Sequence, residues 1–427
     1  MTALPTSWNN ASFAIPQLTT RAQWVFAGAM AVLCLHFLDA SIVHPQAGAT
    51  PIEHLLQALL AVAAPPLTLF AYVVAGRWVR GLGSIAIGLP ATATGVAIHV
   101  VGPIKNGHMH AGDYSGIAMA VAGLALVVLG TGTLVRIVPK IRYRFALLLI
   151  APFAFYWVVI PIGAGIYITH APRYERHPID MGAPHEDVHF ETADGLTIFG
   201  SYVPSTNGAT VIVAHGSGGA RHRPQDHIQM LVRNGYGVLA IDSRGHGESD
   251  GTTNALGWGA YRDIPAAAEY LAGRPEVDGS RIGVLGISMG GEIALDAATH
   301  GAPVAAFISD GAGSRSINET LSLPRTWADI VGLPTVAELS GVVTALARTM
   351  PPPSLESQVD QITAPVFFIA SKNIGDEREL NRIWEKKTNA EHEWWEVDAG
   401  HTEGLSKFPD EYERRVISFL NAHLLGE

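Results

Sequence analysis

Charge is scarce in this sequence, and the scarcity is confined to its first 170 residues. Charged side chains make up 15% of the 427 residues, against about 25% in an ordinary soluble domain. Residues 1–170 hold eight basic and three acidic side chains, whereas residues 171–427 carry a net charge of −15. This division excludes a single soluble globule. The hydrophobic content of 48% excludes a disordered chain, because disorder requires low hydrophobicity and high charge.

Two further deficits exclude classes of function. Cys34 is the single cysteine, so the chain cannot form an intrachain disulfide or a zinc site that depends on several cysteines. Residues 171–427 are acidic and would repel the phosphates of a nucleic acid. We therefore expect no nucleic-acid partner.

Long uncharged runs fill the first part of the chain. A membrane-spanning helix needs about 20 largely apolar residues, and five runs approach or exceed that length. They are residues 22–38, 54–76, 81–104, 114–135 and 145–172. The sequence therefore predicts an all-α transmembrane domain of about five helices at 22–170, after a cytoplasmic segment at 1–21 and before a linker at 171–185.

The placement of Lys and Arg predicts how these helices are oriented. The flank and loops on the N-terminal side hold seven basic residues, and those on the opposite side hold three. Basic loops remain in the cytoplasm. With five crossings, a multi-pass protein of the cell membrane would keep its N-terminus in the cytoplasm and place residues 186–427 outside it.

Several ionisable side chains fall near the outer ends of the predicted helices. Such groups are costly inside a membrane and often mark a function. They are His36, Asp39, His44, Glu53, His54, His99, His108, His110 and Asp113. Two interpretations remain open, a metal or proton site and a polar interface hydrogen-bonded to headgroups, water or the second domain.

From residue 186 onward, a hairpin pattern is followed by strands that alternate with helices. This alternation predicts an α/β fold with a mostly parallel sheet and an antiparallel leading hairpin. The alternation stops at residues 311–360, which we interpret as an insert with helices at 327–331 and 336–347. An insert in this position would cover the site as a lid.

A nucleophile motif lies between a predicted strand and a predicted helix. Residues 286–290 read G-x-S-x-G, and in this context the motif places a serine on a tight turn at the edge of the sheet. Ser288 is therefore the predicted nucleophile. A serine hydroxyl needs a base, and His401, just after the last predicted strand, is the candidate.

The acid that would orient His401 is less certain from the sequence. It should follow the strand at 365–370, where Ile374 occupies the usual place. Asp376 is the favoured candidate, and Glu377 and Asp310 remain alternatives. Asp376 and Glu377 could equally serve to cap the helix that follows.

Acyl transfer also needs N–H donors aimed at the developing oxyanion. The residue after the nucleophile, Met289, would supply one N–H. The glycine-rich loop at 215–219 would supply the other, from Ser217. The polar segment at 242–249 contains Arg and His, and we interpret it as a structural turn.

Four motifs together resemble the α/β-hydrolase superfamily over about residues 186–424. They are the H-G loop at 215, D-x-R-G-H-G-x-S at 242–249, G-x-S-M-G-G at 286–291 and G-H-T at 400–402. The chain is most similar to serine esterases of the dienelactone-hydrolase-like and acylaminoacyl-peptidase-like kinds, although its acid loop departs from the pattern. The resemblance implies a hydrolase domain at 186–427 that cleaves carboxylic esters through an acyl-enzyme, without a metal or organic cofactor.

Other functions remain open at this stage. A peptidase or an acyltransferase would use the same three side chains, and a membrane receptor or transport module could carry a non-catalytic hydrolase-like domain. Apolar residues in the insert favour a lipophilic small-molecule ester. They are Val342, Val343, Leu346 and Met350. The expected partners are therefore such an ester and the lipid bilayer.

Overall fold

The described part of the chain divides into two units. The computed structural model describes residues 18–43, 51–96, 99–100, 109, 111–138, 157, 160–170, 173, 179–251, 253–324 and 327–427. One unit comprises Met1–Pro45 and Pro51–Ala151, and the other comprises Gln46–Thr50 and Pro152–Glu427. The residues just before 171 therefore group with the C-terminal unit.

The N-terminal unit is helical throughout its described elements. These helices are α1 (Arg21–Leu38), α2 (Pro51–Val74), α3 (Arg77–Val96) and α4 (Ala111–Ile137). A capping box precedes α1. The side chain of Thr20 accepts the backbone N–H of Gln23, and the side chain of Gln23 accepts the backbone N–H of Thr20. Four of the five predicted runs thus coincide with helices. Most of the fifth lies outside the described residues.

Two of these helical stretches are long and apolar enough to cross a membrane. They are Arg21–Val43, which includes a π-helical turn after α1, and Ala111–Ile137, and Ala58–Val74 is a shorter apolar helix. A third stretch of sufficient length, Ile330–Ala347, belongs to the C-terminal unit and was not among the predicted spans.

Helices α3 and α4 pack through glycines spaced seven residues apart. A Cβ added to Gly88 would lie 2.5 Å from the carbonyl oxygen of Gly123, and one added to Gly123 would lie 2.7 Å from that of Gly88. The two helices also approach closely seven residues away on either side, where Gly130 faces Gly81 and Gly95 faces Gly116. The glycines are Gly81, Gly88 and Gly95 on α3 and Gly116, Gly123 and Gly130 on α4. Small residues allow this contact in lipid, where apolar surface gains little from burial.

A polar cluster joins α1 and α4. Nδ1 of His36 lies 3.0 Å from Oγ of Ser115, which donates to Oδ2 of Asp39 at 2.5 Å. Nδ1 of His99 lies 2.9 Å from Oδ1 of Asp113, and the two imidazole rings meet edge to face. These contacts are hydrogen bonds between protein groups.

The metal interpretation finds no support in the described residues. Among them, no group of three or more His, Cys, Asp or Glu side chains could hold a metal ion. The remaining ionisable candidates lie outside the described residues or have side chains that are not described. They are His44, Glu53, His54, His108 and His110.

The C-terminal unit is built on an eight-stranded sheet. Its strands are β1 (Glu186–Glu191), β2 (Thr197–Val203), β3 (Thr210–Ala214), β4 (Gly237–Ile241), β5 (Ile282–Ile287), β6 (Ala306–Asp310), β7 (Val366–Ser371) and β8 (His392–Val397). The spatial order is β1-β2-β4-β3-β5-β6-β7-β8. The pairs β1–β2 and β2–β4 are antiparallel and all others are parallel. The predicted sheet is confirmed.

The described residues of the C-terminal unit also form nine α-helices, some of which pack against the two faces of the sheet. They are α5 (Ile160–Thr169), α6 (Gln225–Arg233), α7 (Asp263–Ala272), α8 (Met289–Thr299), α9 (Ile317–Ser322), α10 (Trp327–Ala347), α11 (Gly375–Lys387), α12 (Gly404–Lys407) and α13 (Pro409–Leu420). One core contains Ile264, Ile293 and Trp384, and the other contains Ile228 and Phe419. Strands buried on both faces read as continuous apolar runs, as β3 and β4 do.

The insert between β6 and β7 differs from its prediction. The sequence predicted helices at 327–331 and 336–347, but a single helix, α10, runs through Pro334. A proline inside a helix removes one backbone hydrogen bond. Oγ1 of Thr335 donates to the carbonyl of Gly332 at 2.5 Å, and the apolar residues on either side continue the helix.

We predict that Gly123→Leu destabilises the N-terminal unit. The added side chain would meet the α3 backbone, and overpacking of this kind costs about 1–3 kcal/mol. Gly132→Leu on the same helix is the control, because a Cβ there meets nothing within 4 Å. Thermal unfolding in detergent, followed by circular dichroism, should show a lower midpoint for Gly123→Leu alone. Equal midpoints would contradict the packing role.

Candidate active site

The turn between β5 and α8 holds Ser288 in a strained conformation. Its φ of 56° is unusual for a residue with a side chain, and its N–H donates to the carbonyl of Asp310 at 2.7 Å. Glycines are required on both sides. A Cβ at Gly286 would lie 2.0 Å from the carbonyl oxygen of Gly290, and one at Gly290 would lie 2.1 Å from that of Ala214. Strain held by close backbone contacts is typical of functional sites.

A chain of two hydrogen bonds runs from Ser288 through His401 to Glu377. Nε2 of His401 lies 2.8 Å from Oγ of Ser288, and Nδ1 lies 2.6 Å from Oε2 of Glu377. The other oxygen of Glu377 accepts the N–H of Ser371 at 2.5 Å. A hydroxyl, an imidazole and a buried carboxylate in this order can remove a proton from the hydroxyl.

The structure brings Glu377, and not the favoured Asp376, to His401. The two residues are neighbours in the first turn of α11, where the side chains diverge by about 100° around the helix. Asp376 is exposed, whereas Glu377 is 3% exposed. The buried face of α11 consists of Glu377, Leu380, Asn381 and Trp384. The spacing of these four residues is the signal in the sequence that would have favoured Glu377 over Asp376.

Asp310, the third candidate for the acid, has other partners. It is buried at the end of β6 and accepts the hydroxyl of Tyr412 at 2.7 Å. Nε2 of His227 lies 3.8 Å from the same carboxylate oxygen. These contacts tie Asp310 to the helices on one face of the sheet.

The carboxylate of Glu377 changes the protonation of His401. Its hydrogen bond is the largest cause of a raised pKa for His401, and burial of the ring acts in the opposite direction. A general base must be unprotonated to accept a proton. The raised pKa therefore makes His401 a stronger base and sets the pH below which it stops working.

The glycine-rich loop lies against Ser288, as the predicted oxyanion site requires. A Cβ at Gly216 would be 3.3 Å from the Cβ of Ser288. Oγ of Ser217 accepts Nδ2 of Asn254 at 3.2 Å, a contact that the sequence did not predict. Met289 is the first residue of α8, where the backbone N–H groups favour negative charge.

The polar segment at 242–249 has structural contacts that agree with its interpretation. Arg244 donates to Asp263 at 2.8 Å and to Asp194 at 2.7 Å. Arg221 donates to both Asp242 and Glu248. Buried charges paired in this way fix the turn beside the sheet.

Sequence reasoning missed Glu292, which lies one helical turn after Ser288. Its carboxyl accepts the N–H of Gly313 at 3.0 Å, and burial raises the pKa of Glu292 to about 8. Gly311, at the start of the insert, lies close to the base, since a Cβ added there would be 3.3 Å from Cε1 of His401. Glu292 therefore holds the start of the insert next to the site.

Comparisons with known proteins match parts of this chain. Residues 205–340 match the family model described as Serine aminopeptidase, S33. An uncharacterised protein of Mycobacterium tuberculosis is 36% identical over 122 residues, or 28% of this chain and 43% of that protein. YfhR, an uncharacterised protein of Salmonella typhi, is 32% identical over 31% of this chain and 47% of that protein. The chain spans less than half the length of these two relatives.

Two further proteins are similar over longer stretches. The thiohydrolase aneE of Aspergillus aculeatus is 27% identical over 202 residues, or 45% of this chain and 62% of that protein. A solved structure of an esterase from Pyrococcus furiosus is 24% identical, with a TM-score of 0.49, and covers 60% of this chain and 98% of that chain.

The sheet and the serine turn define the fold of the C-terminal unit. It is the α/β-hydrolase fold, and part of the unit matches a hydrolase family model. The unit follows an N-terminal helical region that contains helices long and apolar enough to cross a membrane.

We predict that Glu377→Gln lowers turnover by about 10²–10⁴-fold, because the histidine keeps its place but loses its orienting carboxylate. The acidic limb of the kcat/KM profile should also move to lower pH, since the group that raises the pKa of His401 is gone.

Asp376→Asn is the matched control for this variant. It removes the neighbouring exposed carboxylate, so both turnover and the pH profile should stay near those of the wild type. A collapse of activity in Asp376→Asn together with an active Glu377→Gln would show that the acid is Asp376.

Proposed function

We propose that the protein is a membrane-anchored serine hydrolase that cleaves carboxylic esters through an acyl-enzyme. The observation that carries this proposal is the hydrogen-bonded chain from Ser288 through His401 to Glu377. The chain joins a strained serine, a base with a raised pKa and a buried carboxylate.

The proposed reaction has two halves. In the first, Oγ of Ser288 attacks the ester carbonyl while Nε2 of His401 takes the hydroxyl proton. The N–H groups of Met289 and Ser217 stabilise the oxyanion, and the alcohol leaves with the proton from His401. In the second, His401 takes a proton from water, the water attacks the acyl-enzyme, and the acid is released with Ser288 restored. Glu377 orients the ring and stabilises its charged form throughout.

Other acyl donors would pass through the same intermediate. The family model is named for an aminopeptidase, and one relative is named a thiohydrolase, so amides and thioesters are the competing substrates. Parallel assays with an ester, a thioester and an anilide of one acyl group separate them, and an added alcohol tests acyl transfer. The proposal expects the ester to have the highest kcat/KM.

A receptor or transport module with a non-catalytic domain is the other candidate. Its binding function would not need a serine at a φ of 56° hydrogen-bonded to a histidine. Backbone strain costs about 1–3 kcal/mol, and catalysis explains why it is kept.

We propose that the helices Arg21–Val43 and Ala111–Ile137 anchor this hydrolase in the cell membrane. The seven-to-three distribution of basic residues supports a cytoplasmic N-terminus, because basic loops remain inside. With five crossings, the hydrolase domain lies outside the cytoplasm.

We predict that a fluorophosphonate probe labels the wild-type protein and fails to label Ser288→Ala, because the probe reacts with an activated serine hydroxyl. Esterase activity should fall with the labelling. Ser280→Ala is the control, since Ser280 is exposed and its hydroxyl donates to Asp278, away from the residues of the site. Labelling that persists in Ser288→Ala would refute the assignment.

We predict that alkaline phosphatase fused after Glu427 is active, as expected of an exported domain. A cytoplasm-dependent fluorescent reporter at the same position should be dark, and the two reporters should exchange behaviour when fused after residue 20. An active cytoplasmic reporter after Glu427 would mean an even number of crossings.

A further inference from the structure

Helices α5 and α10 form an apolar pair within the C-terminal unit. A Cβ on Gly165 of α5 would lie 2.5 Å from Cγ1 of Val342 on α10. Before α5, Nε1 of Trp157 donates to the carbonyl of Val331 at 3.1 Å. Trp157 contacts Val331, and further along both segments Gly165 faces Val342. The two helices therefore run in the same direction.

The outer face of α10 is apolar and exposed. Ile330–Ala347 is long and apolar enough to cross a membrane, yet little of it is buried. The exposed large side chains of α10 are Trp327, Ile330, Val331 and Leu346, and the exposed Met350 follows three residues after the helix. Asp329 and Glu338 are the charged side chains between residues 327 and 347. A surface of this composition is unfavourable in water.

The insert leaves and returns at one place, so α10 does not cross a membrane. Nη2 of Arg315 donates to the carbonyl of Pro353 at 2.9 Å, and Nδ2 of Asn318 donates to that of Pro352 at 2.7 Å. The N–H of Ile317 also donates to Oγ of Ser340. The segment is therefore a helical hairpin whose tip lies at Trp327, beyond these ties.

The base of this hairpin and the end of α5 both reach the active site. The carbonyl of Thr169, at the end of α5, accepts the N–H of Asn254 at 3.1 Å. The side chain of Asn254 in turn donates to Ser217 of the glycine-rich loop. On the insert side, Gly311 adjoins His401. The apolar pair thus points away from the site, with the site at its base.

Continuity with the fifth apolar run identifies what covers the exposed face. That run, residues 145–172, has 28 residues, whereas a span needs about 20. About eight residues at its end, most of them in α5, can therefore emerge above the membrane. Val331 lies beside Trp157 of this run, and this contact would place the apolar part of α10 at membrane depth. Glu338 is about 10 Å along the helix from Val331, a separation that places its carboxylate near the headgroups.

We propose that residues 330–337, which carry no charged side chain, insert into one leaflet of the bilayer beside the fifth span. The substrate is then an amphiphilic ester with a long acyl chain, which reaches Ser288 from that leaflet along the upper part of the α5–α10 pair. This inference rests on the proposed function for the ester chemistry, but the insertion itself does not depend on it.

The first test compares two substrates in one proteoliposome preparation of the full chain. The double variant Ile330→Glu, Val331→Glu should lower hydrolysis of vesicle-embedded 4-methylumbelliferyl oleate by about tenfold or more, because charge at membrane depth is costly. Hydrolysis of soluble p-nitrophenyl butyrate should remain unchanged. Phe408→Glu, at an exposed apolar residue outside the insert, should change neither rate.

Equal losses on both substrates would show that the tip supports the fold, and unchanged rates on both would show that it does not deliver substrate. Either result overturns the proposal. Labelling of Ser288 by the fluorophosphonate probe is measured alongside. Absence of labelling in the wild type would refute the proposed function separately.

The second test measures insertion without activity. In a Cys34→Ser background, Val331→Cys and Phe408→Cys carry a nitroxide spin label in phosphatidylglycerol–phosphatidylcholine vesicles. The label at 331 should be relaxed by oxygen and shielded from a water-soluble nickel chelate, and the label at 408 should show the reverse. Nickel access at 331 equal to that at 408 would overturn the insertion.

Discussion

The hydrogen bond between the buried carboxylate of Glu377 and the ring of His401 is the contact on which the proposed chemistry depends. It holds Nε2 of the ring toward Ser288 and raises the pKa of the base. The carboxylate is itself fixed by the N–H of Ser371 and by the packing of α11, whose Trp384 is fully buried. The rotation of α11 about its own axis decides which side chain faces the site, and it therefore sets the orientation of the His401 ring.

That dependence explains which parts of the site could be predicted from the sequence. Ser288 and His401 follow from motifs, because a tight turn after a parallel strand leaves few positions for each. The choice between Asp376 and Glu377 depends on where α11 begins, and helix ends are uncertain by one or two residues. The positions of Leu380 and Trp384 relative to Glu377 carried the answer, since residues at this spacing share one helix face.

The fold was predictable to a similar extent. Apolar strand runs and turn residues predicted the leading hairpin and the alternation of strands with helices, because buried parallel strands differ sharply from amphipathic helices. The continuation of α10 through Pro334 was not predicted. The rule that proline ends a helix considers one residue and ignores the helical preference of its neighbours. The glycine repeats of α3 and α4 follow a seven-residue spacing that apolar composition alone conceals.

The two units differ in composition and packing in ways that suit different solvents. The helices of the N-terminal unit have little charge and pack through glycines such as Gly88 and Gly123, as suits contacts in lipid. The hydrolase unit buries two apolar cores around its sheet, as suits water. In our account, α5 and the insert are the part of the hydrolase unit that belongs to the lipid phase, and they bring a water-dependent site to a lipid substrate.

The most direct measurement of this account is the acyl-enzyme itself. Full-length protein in vesicles that contain a long-chain ester would be quenched in acid within the first turnover, digested and examined by mass spectrometry. The account predicts one added acyl group, carried by the peptide that contains Ser288 and lost when the reaction is allowed to proceed. An acyl group on another residue, or ester turnover without any acylated peptide, would contradict it.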